Sequence, residues 1–334
     1  MTIEADEFPK SANARSDGMV DVIIAAWNRA DTIERAVLSA LAEPEVARVI
    51  VVDDASTDDT AGRAASVEGG AERVIVIRQN VNTGPAAARN KALEAAKSPW
   101  VAILDGDDYF EPGRIARLLA YSSEQDFIAD DLLQIPEGGI GHDKPKPMLS
   151  ERPFEPWRCD FETFVLGNVS RPGRNRKELG FFKPLIRRSF IEEHRLRYEE
   201  DLRLGEDYAL YAKALALGAR FLITPALGYV SVLRAGSLSG RHSKQDLERL
   251  RESDRRLEGL PNLSAAERRA LSKHYRSVDA RVQWLEVIEA VKQRNPKRFV
   301  TPFFRSSDVS RFLAARLTEQ ARIRLLKRAK ESFR

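Results

Sequence analysis

Residues 100–108 read Trp-Val-Ala-Ile-Leu-Asp-Gly-Asp-Asp, an apolar run that breaks into three carboxylates around one glycine. A near-continuous Val/Ile run suits a parallel strand buried on both faces. Residues 46–54, Val-Ala-Arg-Val-Ile-Val-Val-Asp-Asp, repeat the form. The strand candidates are Val20–Trp27, Val46–Val52, Arg73–Arg78 and Trp100–Leu104. Helical patterns separate them. Asp31 and Glu34 make a capping-box pattern ahead of Ile33, Val37, Leu38 and Leu41. A second helix, over Pro85–Ala96, has proline in its first turn. Strands alternating with helices predict βαβ units and an α/β fold around an open, mostly parallel sheet. Ligands of such sheets bind beyond the carboxyl ends of the strands. Both acidic clusters fall there.

Two carboxylate clusters at one sheet edge repel each other unless cations or hydrogen-bond donors compensate. Oxygen-only ligands favour a hard divalent ion, Mn²⁺ or Mg²⁺. A plain turn also uses Asp and Gly, but two clusters in register weigh against that reading.

Outward from this core, residues 136–177 are rich in Pro, Gly and charge, and read as a long loop with some local structure. A helix near Tyr208–Leu217 follows, then strands near Arg220–Thr224 and Gly228–Leu233. Beyond Gly240 the chain reads as helical. Ser264 and Glu267 form a second capping box, with Leu271, Tyr275, Val278, Val282 and Leu285 at helix spacing. The expected organisation is an N-terminal tail (1–19), a first half (20–135), a second half with the long loop (136–240) and a basic helical region (241–334).

The chain has 334 residues, 43% hydrophobic and 31% charged, a globular balance that excludes a disordered or collagen-like polymer. No apolar run approaches the ~20 residues that span a bilayer. The opening MTIEADEFPK is acidic and does not read as a signal peptide. The single cysteine, Cys159, fits a reducing cytoplasm. Neither a dinucleotide fingerprint nor a Walker loop nor a serine-hydrolase elbow is present. The net charge of +4 hides a split: residues 241–334 carry 24 Lys/Arg against 12 Asp/Glu, so the remainder is net acidic. A basic tail meets something anionic or is a solvated helical face.

Four stretches, VIIAAWNRADTIERAVLSAL (22–41), VIVVDDASTDDT (49–60), NVNTGPAAARNKAL (80–93) and WVAILDGDDYFEP (100–112), resemble the nucleotide-sugar-binding half of glycosyltransferase family 2. LGEDYALYAKALALGARF (204–221) is similar to that family's acceptor-side Glu-Asp segment. The resemblance covers roughly residues 20–240 and implies a GT-A fold, with a Rossmann-like central sheet and, here, a helical C-terminal extension. It also implies roles. Ala25, Trp27 and Asn28 stand where the family cradles the nucleotide base. Asp54 matches the aspartate that accepts the base's imide N–H, and Asn82, Gly84 and Arg89 match the loop and helix beside base and phosphates. Asp105 and Asp107 match the Asp-x-Asp motif, Asp107 binding the metal directly and Asp105 the ribose or the metal's waters. In the Glu206–Asp207 pair the aspartate is the implied catalytic base. Arg234 and Ser237 match a segment that closes over the diphosphate, but Arg234-Ala235 stands where the family often has His-Pro, which leaves a third metal ligand unassigned.

The similarity extends to exopolysaccharide glucosyltransferases of the succinoglycan type. It implies a UDP-sugar donor, a lipid-linked saccharide acceptor and a position at the inner face of the cytoplasmic membrane. A nucleotidyltransferase and a catalytically silent scaffold are the alternatives, and a homo-oligomer is left open. The tail lacks the interleaved aromatics that stack nucleobases, so no nucleic-acid partner is expected. Val309, Leu313, Leu317, Ala321 and Leu325 recur every four residues beside many Arg and Lys, which predicts a basic amphipathic helix on an anionic membrane surface. The alternative is that this face packs on the catalytic domain.

Overall fold

The structure, a computed structural model, describes residues 19–67, 72–169, 177–234 and 242–332. In chain order the elements are β1 (Val20–Ala26), α1 (Ile33–Leu41), β2 (Val46–Asp53), α2 (Thr60–Ala65), β3 (Val74–Arg78), α3 (Pro85–Ala95), β4 (Trp100–Ile103), β5 (Tyr109–Phe110), α4 (Arg114–Leu119), β6 (Phe127–Asp130), β7 (Leu133–Pro136), β8 (Lys146–Pro147) and β9 (Trp157–Cys159). There follow α5 (Phe161–Gly167), β10 (Leu185–Arg187), α6 (Arg188–Glu193), α7 (Glu206–Ala216), β11 (Phe221–Thr224), β12 (Tyr229–Leu233), α8 (Lys244–Glu258), α9 (Ala265–Lys292), α10 (Pro296–Val300) and α11 (Ser307–Ser332). They form two compact units: Met1–Trp157 with Lys183–Arg195 and Leu222–Val232, and Arg158–Phe182 with Leu196–Phe221 and Leu233–Arg334.

The main sheet has the order β3-β2-β1-β4-β10-β6-β11-β9. Strands β1, β2, β3 and β4 run parallel, and β10 runs antiparallel between β4 and β6. The Val/Ile runs explain the core: Val22, Ile23, Ile24, Val49, Ile50, Val51, Val52 and Val101 are fully buried, as strands covered on both faces require. Asp21 is buried among them in β1. Its carboxylate accepts from Arg48 and from the backbone N–H groups of Lys97 and Ser98, which ties the amino ends of three strands. A second sheet, β5-β12-β7-β8, closes over Ile135, Val230 and Val232.

The Asp31–Glu34 capping box does not form. Helix α1 begins at Ile33 with Thr32, not Asp31, as N-cap, and the Thr32 side chain makes no cap hydrogen bond. The Thr32 hydroxyl donates to the Gly106 carbonyl at 2.8 Å, a buried bond that ties the start of α1 to the Asp105–Asp107 turn. The segment 136–177 holds more structure than a loop, namely β8, β9 and α5, the last capped by Asp160 through the Thr163 N–H.

In the second unit the Ser264–Glu267 capping box opens α9 as expected, and Ser243–Asp246 forms another at α8. The apolar stripe of α11 divides. Val309 and Leu313 are buried against Ala280 and Val287 of α9, bordered by Trp284, Phe299, Phe303 and Phe312, so these first turns belong to the fold. Ala321 is exposed, and the Leu325 side chain lies outside what is described.

Candidate active site

Parallel β1, β2 and β4 deliver their carboxyl ends to one edge of the sheet. At the end of β1 the backbone turns left-handed at Asn28 (φ 50°), and Trp27 is left 44% exposed. Asn28 is held in that conformation by its surroundings: its N–H donates to Ser56 Oγ (2.9 Å) and its Oδ1 accepts from the Thr57 N–H (2.9 Å). Ala25 is half-buried beneath.

The Asp54 N–H donates to the Ala26 carbonyl, which binds the end of β2 to β1. Its buried carboxylate organises residues 79–84. Oδ1 accepts from Gln79 Nε2 and Thr83 N–H, each at 2.8 Å, and from Thr83 Oγ1 at 3.2 Å, and Oδ2 accepts from Gly84 N–H at 2.8 Å. Asn82 Nδ2 donates to the Asp54 carbonyl. Gly84 takes φ 93° and ψ 167°, a conformation essentially restricted to glycine, and leads into α3 with Pro85 at its first position. The structure thus brings Trp27, Asn28, Asp54, Asn82 and Gly84 to one edge.

One turn inside α3, Arg89 Nη2 donates to Asp105 Oδ1 at 2.8 Å, and Lys183 Nζ lies 3.0 Å from Asp105 Oδ2. Burial raises the Asp105 pKa, but the Lys183 ammonium and the Arg89 guanidinium override it and hold the carboxyl well below its usual range. The Asp107 side chain is 22% exposed, against 30% for Asp105, and Arg29 Nε lies 3.3 Å from it. Asp108 points inward, accepting from Tyr229 Oη (2.8 Å) and the Val232 N–H (2.8 Å). Burial, reinforced by the charges of Asp105 and Asp107, pushes its pKa well up.

Sequence reasoning missed the ring of buried groups that supports this turn. Tyr229 Oη also accepts from the Asp105 N–H, and Asp130 holds both the Tyr229 N–H and the guanidinium of Arg114. Fully buried Arg114 donates to the carbonyl of Lys183 and lies over the rings of Phe110 and Tyr229, 4.6 and 5.0 Å from their centroids. The ring closes where Lys183 meets Asp105. Its signal in sequence was only the isolated charges in apolar surroundings: Lys183 in FFKPLI and Asp130 after FIA.

The anticipated repulsion between the two acidic clusters is met by the chain's own groups. Arg78 lies 3.4 Å from Asp53, the loop amides cover Asp54, and Arg29, Arg89 and Lys183 face the Asp105–Asp107 turn. Among the described residues no three His, Cys, Asp or Glu side chains are grouped to hold a metal ion. The donor set fits a hard divalent cation only in part. Asp107 offers a carboxylate that Arg29 faces, while each Asp105 oxygen is held by a cation. The other ligands of a bound Mg²⁺ or Mn²⁺ would be water and phosphate oxygens.

In the second unit Glu206 and Asp207 open α7 behind Gly205, whose φ of 75° lets the chain enter the helix. Two carboxylates in a first turn complement the helix dipole. Asp207 is buried and Glu206 half-buried. Arg234 follows β12 directly, and Ser237 lies outside the described residues.

Comparisons with known proteins agree with this geometry. The profile of glycosyl transferase family 2 matches residues 21–188. The chain is 46% identical over 282 residues to the succinoglycan biosynthesis protein ExoU of Rhizobium meliloti, covering 82% of this chain and 80% of that one. Among solved structures, S. aureus TarS 1–349 in complex with UDP-GlcNAc superposes with a TM-score of 0.61 at 16% identity, covering 84% of this chain and 89% of that one. The mannosyltransferase PcManGT from Pyrobaculum calidifontis, in complex with GDP-Man and Mn²⁺, gives 0.55 at 17% identity over 92% and 80%. Sequence, sheet topology and the groups at the sheet edge converge: the chain belongs to glycosyl transferase family 2, is a glycosyltransferase, and carries the GT-A fold.

Proposed function

We propose that the chain transfers a hexosyl group, glucose in the leading reading, from a UDP-sugar to a hydroxyl of a lipid-linked saccharide in exopolysaccharide synthesis, with inversion. The observation that carries this is the convergence of an exposed aromatic (Trp27), the Asp54-bound loop and the Arg89–Asp105–Asp107 cluster at one strand edge. The likeness to ExoU supports the biosynthetic setting, and UDP-GlcNAc bound to TarS supports a UDP-linked donor.

Trp27 offers its face to the uracil. Asp54 keeps acceptor capacity on Oδ2, where it takes one amide, for the imide N–H. Arg234, with Ser237, pairs with phosphate. Asp107 would hold Mn²⁺ or Mg²⁺, which when bound supplies positive charge against the diphosphate. Asp207 takes the proton of the acceptor hydroxyl. The acceptor oxygen then bonds to the anomeric carbon from the face opposite UDP, and the electrons of the broken C–O bond leave with the diphosphate. Such a base typically contributes ~10²–10⁴ in rate.

The C-terminal region supports attachment to an anionic membrane surface at the cytoplasmic side. Among the described residues no helix is long and apolar enough to cross a membrane. The surface from the end of α9 to α11 exposes Val291, Val300, Phe304 (83%) and Ile323 in a stretch of 13 Lys/Arg and three acidic residues. An acceptor anchored in a bilayer requires the catalyst to come to it.

The test is a screen of UDP- and GDP-sugars for hydrolysis and transfer, with calorimetry of UDP with and without Mn²⁺. Asp207→Asn should keep donor affinity and lose about 10²–10⁴ in turnover. Near-full turnover by that variant removes the base assignment, and equal UDP affinity with and without Mn²⁺ removes the metal.

A further inference from the structure

We infer that Lys183 makes divalent-cation binding at the Asp105–Asp107 turn conditional on the nucleotide, by acting as a resident counter-ion. This rests on the reading of the site as one for a nucleoside diphosphate and a divalent cation. Lys183 is a positioning residue in this scheme.

The placement follows from strand direction. β10 runs antiparallel to β4 with Leu185 opposite Ala102. The same register carried two residues back sets Lys183 beside the end of β4, next to Asp105. The Lys183 side chain is 93% buried, and its ammonium sits 3.0 Å from Asp105 Oδ2 while Arg89 takes Oδ1 at 2.8 Å. Burying an ammonium is unfavourable unless it is paired. The Arg114 contact to its carbonyl and the proline that follows it hold its backbone in place. Arg29, 3.3 Å from Asp107, adds a third cation.

These three cations have opposite effects on two arrivals. A divalent cation coming alone to Asp107 is repelled by Arg29, Arg89 and Lys183. A diphosphate is attracted by the same groups, and its oxygens complete the coordination that the chain's own side chains leave incomplete. The chain therefore takes cation and nucleotide together, and it does not hold the cation after the nucleotide departs.

The experiment is titration of the full chain with Mn²⁺, followed by the electron paramagnetic resonance signal of the free ion, with and without UDP. Wild type should bind Mn²⁺ at least about tenfold more tightly with UDP present. Lys183→Gln keeps a donor for Asp105 without the charge. It should raise nucleotide-free Mn²⁺ affinity by about tenfold, weaken metal-free UDP binding and shrink the coupling. Lys183→Arg should behave as wild type. A merely structural Lys183 would weaken both ligands together. If Lys183→Gln folds, by circular dichroism, and its nucleotide-free Mn²⁺ affinity does not rise, the inference is wrong. If it does not fold, Arg29→Gln, on the part-exposed partner of Asp107, reads the same repulsion in an intact core, and unchanged Mn²⁺ affinity there also overturns it. Wild type that binds no Mn²⁺ even with UDP would instead remove the metal reading itself.

Discussion

His274 Nδ1 lies 2.8 Å from Asp254 Oδ2, inside the second unit, and Tyr208 Oη donates to Asp254 Oδ1 at 3.1 Å. Tyr208 stacks on His274 with centroids 4.2 Å apart, and on Phe164 with centroids 5.7 Å apart. Three helices, α7, α8 and α9, are thereby joined at one buried carboxylate through Tyr208, the residue that follows Asp207. Burial raises the Asp254 pKa, against the pull of His274 and Tyr208.

Asp254→Ala leaves a buried tyrosine and histidine without their acceptor and should cost about 3–5 kcal/mol, read from urea midpoints. Asp254→Asn keeps one acceptor oxygen and should cost less. The pH dependence has a fixed sign. Because the folded chain holds this proton to higher pH than the unfolded chain (about 3.9), the contribution is complete below about pH 4 and is lost as pH rises through the folded value. Wild type should show this decline above about pH 4 more steeply than Asp254→Asn, and parallel curves would contradict it.

Gly84→Ala isolates backbone strain. A Cβ there meets nothing within 4 Å, so no clash contributes. The φ of 93° with ψ 167° should cost about 1–3 kcal/mol. Since the Gly84 N–H is bound to Asp54, UDP affinity should fall with the melting temperature. A variant as stable as wild type would show that the loop adopts another conformation.

The sheet and its acidic edge were legible because they depend on local patterns. Val/Ile runs ending in Asp-Asp and Asp-Gly-Asp-Asp fix strand, edge and carboxylates within ten residues of one another. The partners of those carboxylates were not legible. Lys183 lies 78 positions from Asp105, and Tyr229 lies 121 from Asp108. Only strand order brings them together, and β10 inserts antiparallel where a parallel reading has no place for it. The Thr32 bond to Gly106 was hidden for the same reason. Its acceptor is tertiary, and no local rule contains that acceptor. The division of α11 likewise reflects tertiary packing: one continuous stripe serves the α9 contact at Val309 and Leu313 and is exposed by Ala321.

Cys159 should be chemically silent in the folded chain. Burial, with help from the Asp160 charge and against Lys177, pushes its thiol up to about 12. At pH 8 its reaction with a disulfide reagent should be on the order of a thousandfold slower than that of a free thiol, recovering on denaturation. Rapid labelling without unfolding would contradict the burial.

Membrane attachment should be lost without harm to the core. Phe304→Ser with Ile323→Ser removes exposed apolar surface while sparing Val309 and Leu313. Binding to phosphatidylserine-containing vesicles should weaken by at least about tenfold, from the ~1.5–3 kcal/mol that a buried large apolar side chain contributes. Donor hydrolysis should be unchanged. Vesicle binding equal to wild type would assign attachment elsewhere.

The position of β10 also sets a schedule for synthesis. It sits between β4 and β6, yet Leu185 at the start of β10 comes 55 positions after Asp130 at the end of β6. At about 5–20 residues per second, a ribosome leaves a slot in the nascent sheet for roughly 3–11 s, with two unpaired strand edges facing it. Until that strand emerges, Asp105 has Arg89 but lacks Lys183. The half-built sheet is the form most open to chaperone capture and to edge-to-edge aggregation, so slowed translation between codons 130 and 187 should lower soluble yield without changing a single residue of the product.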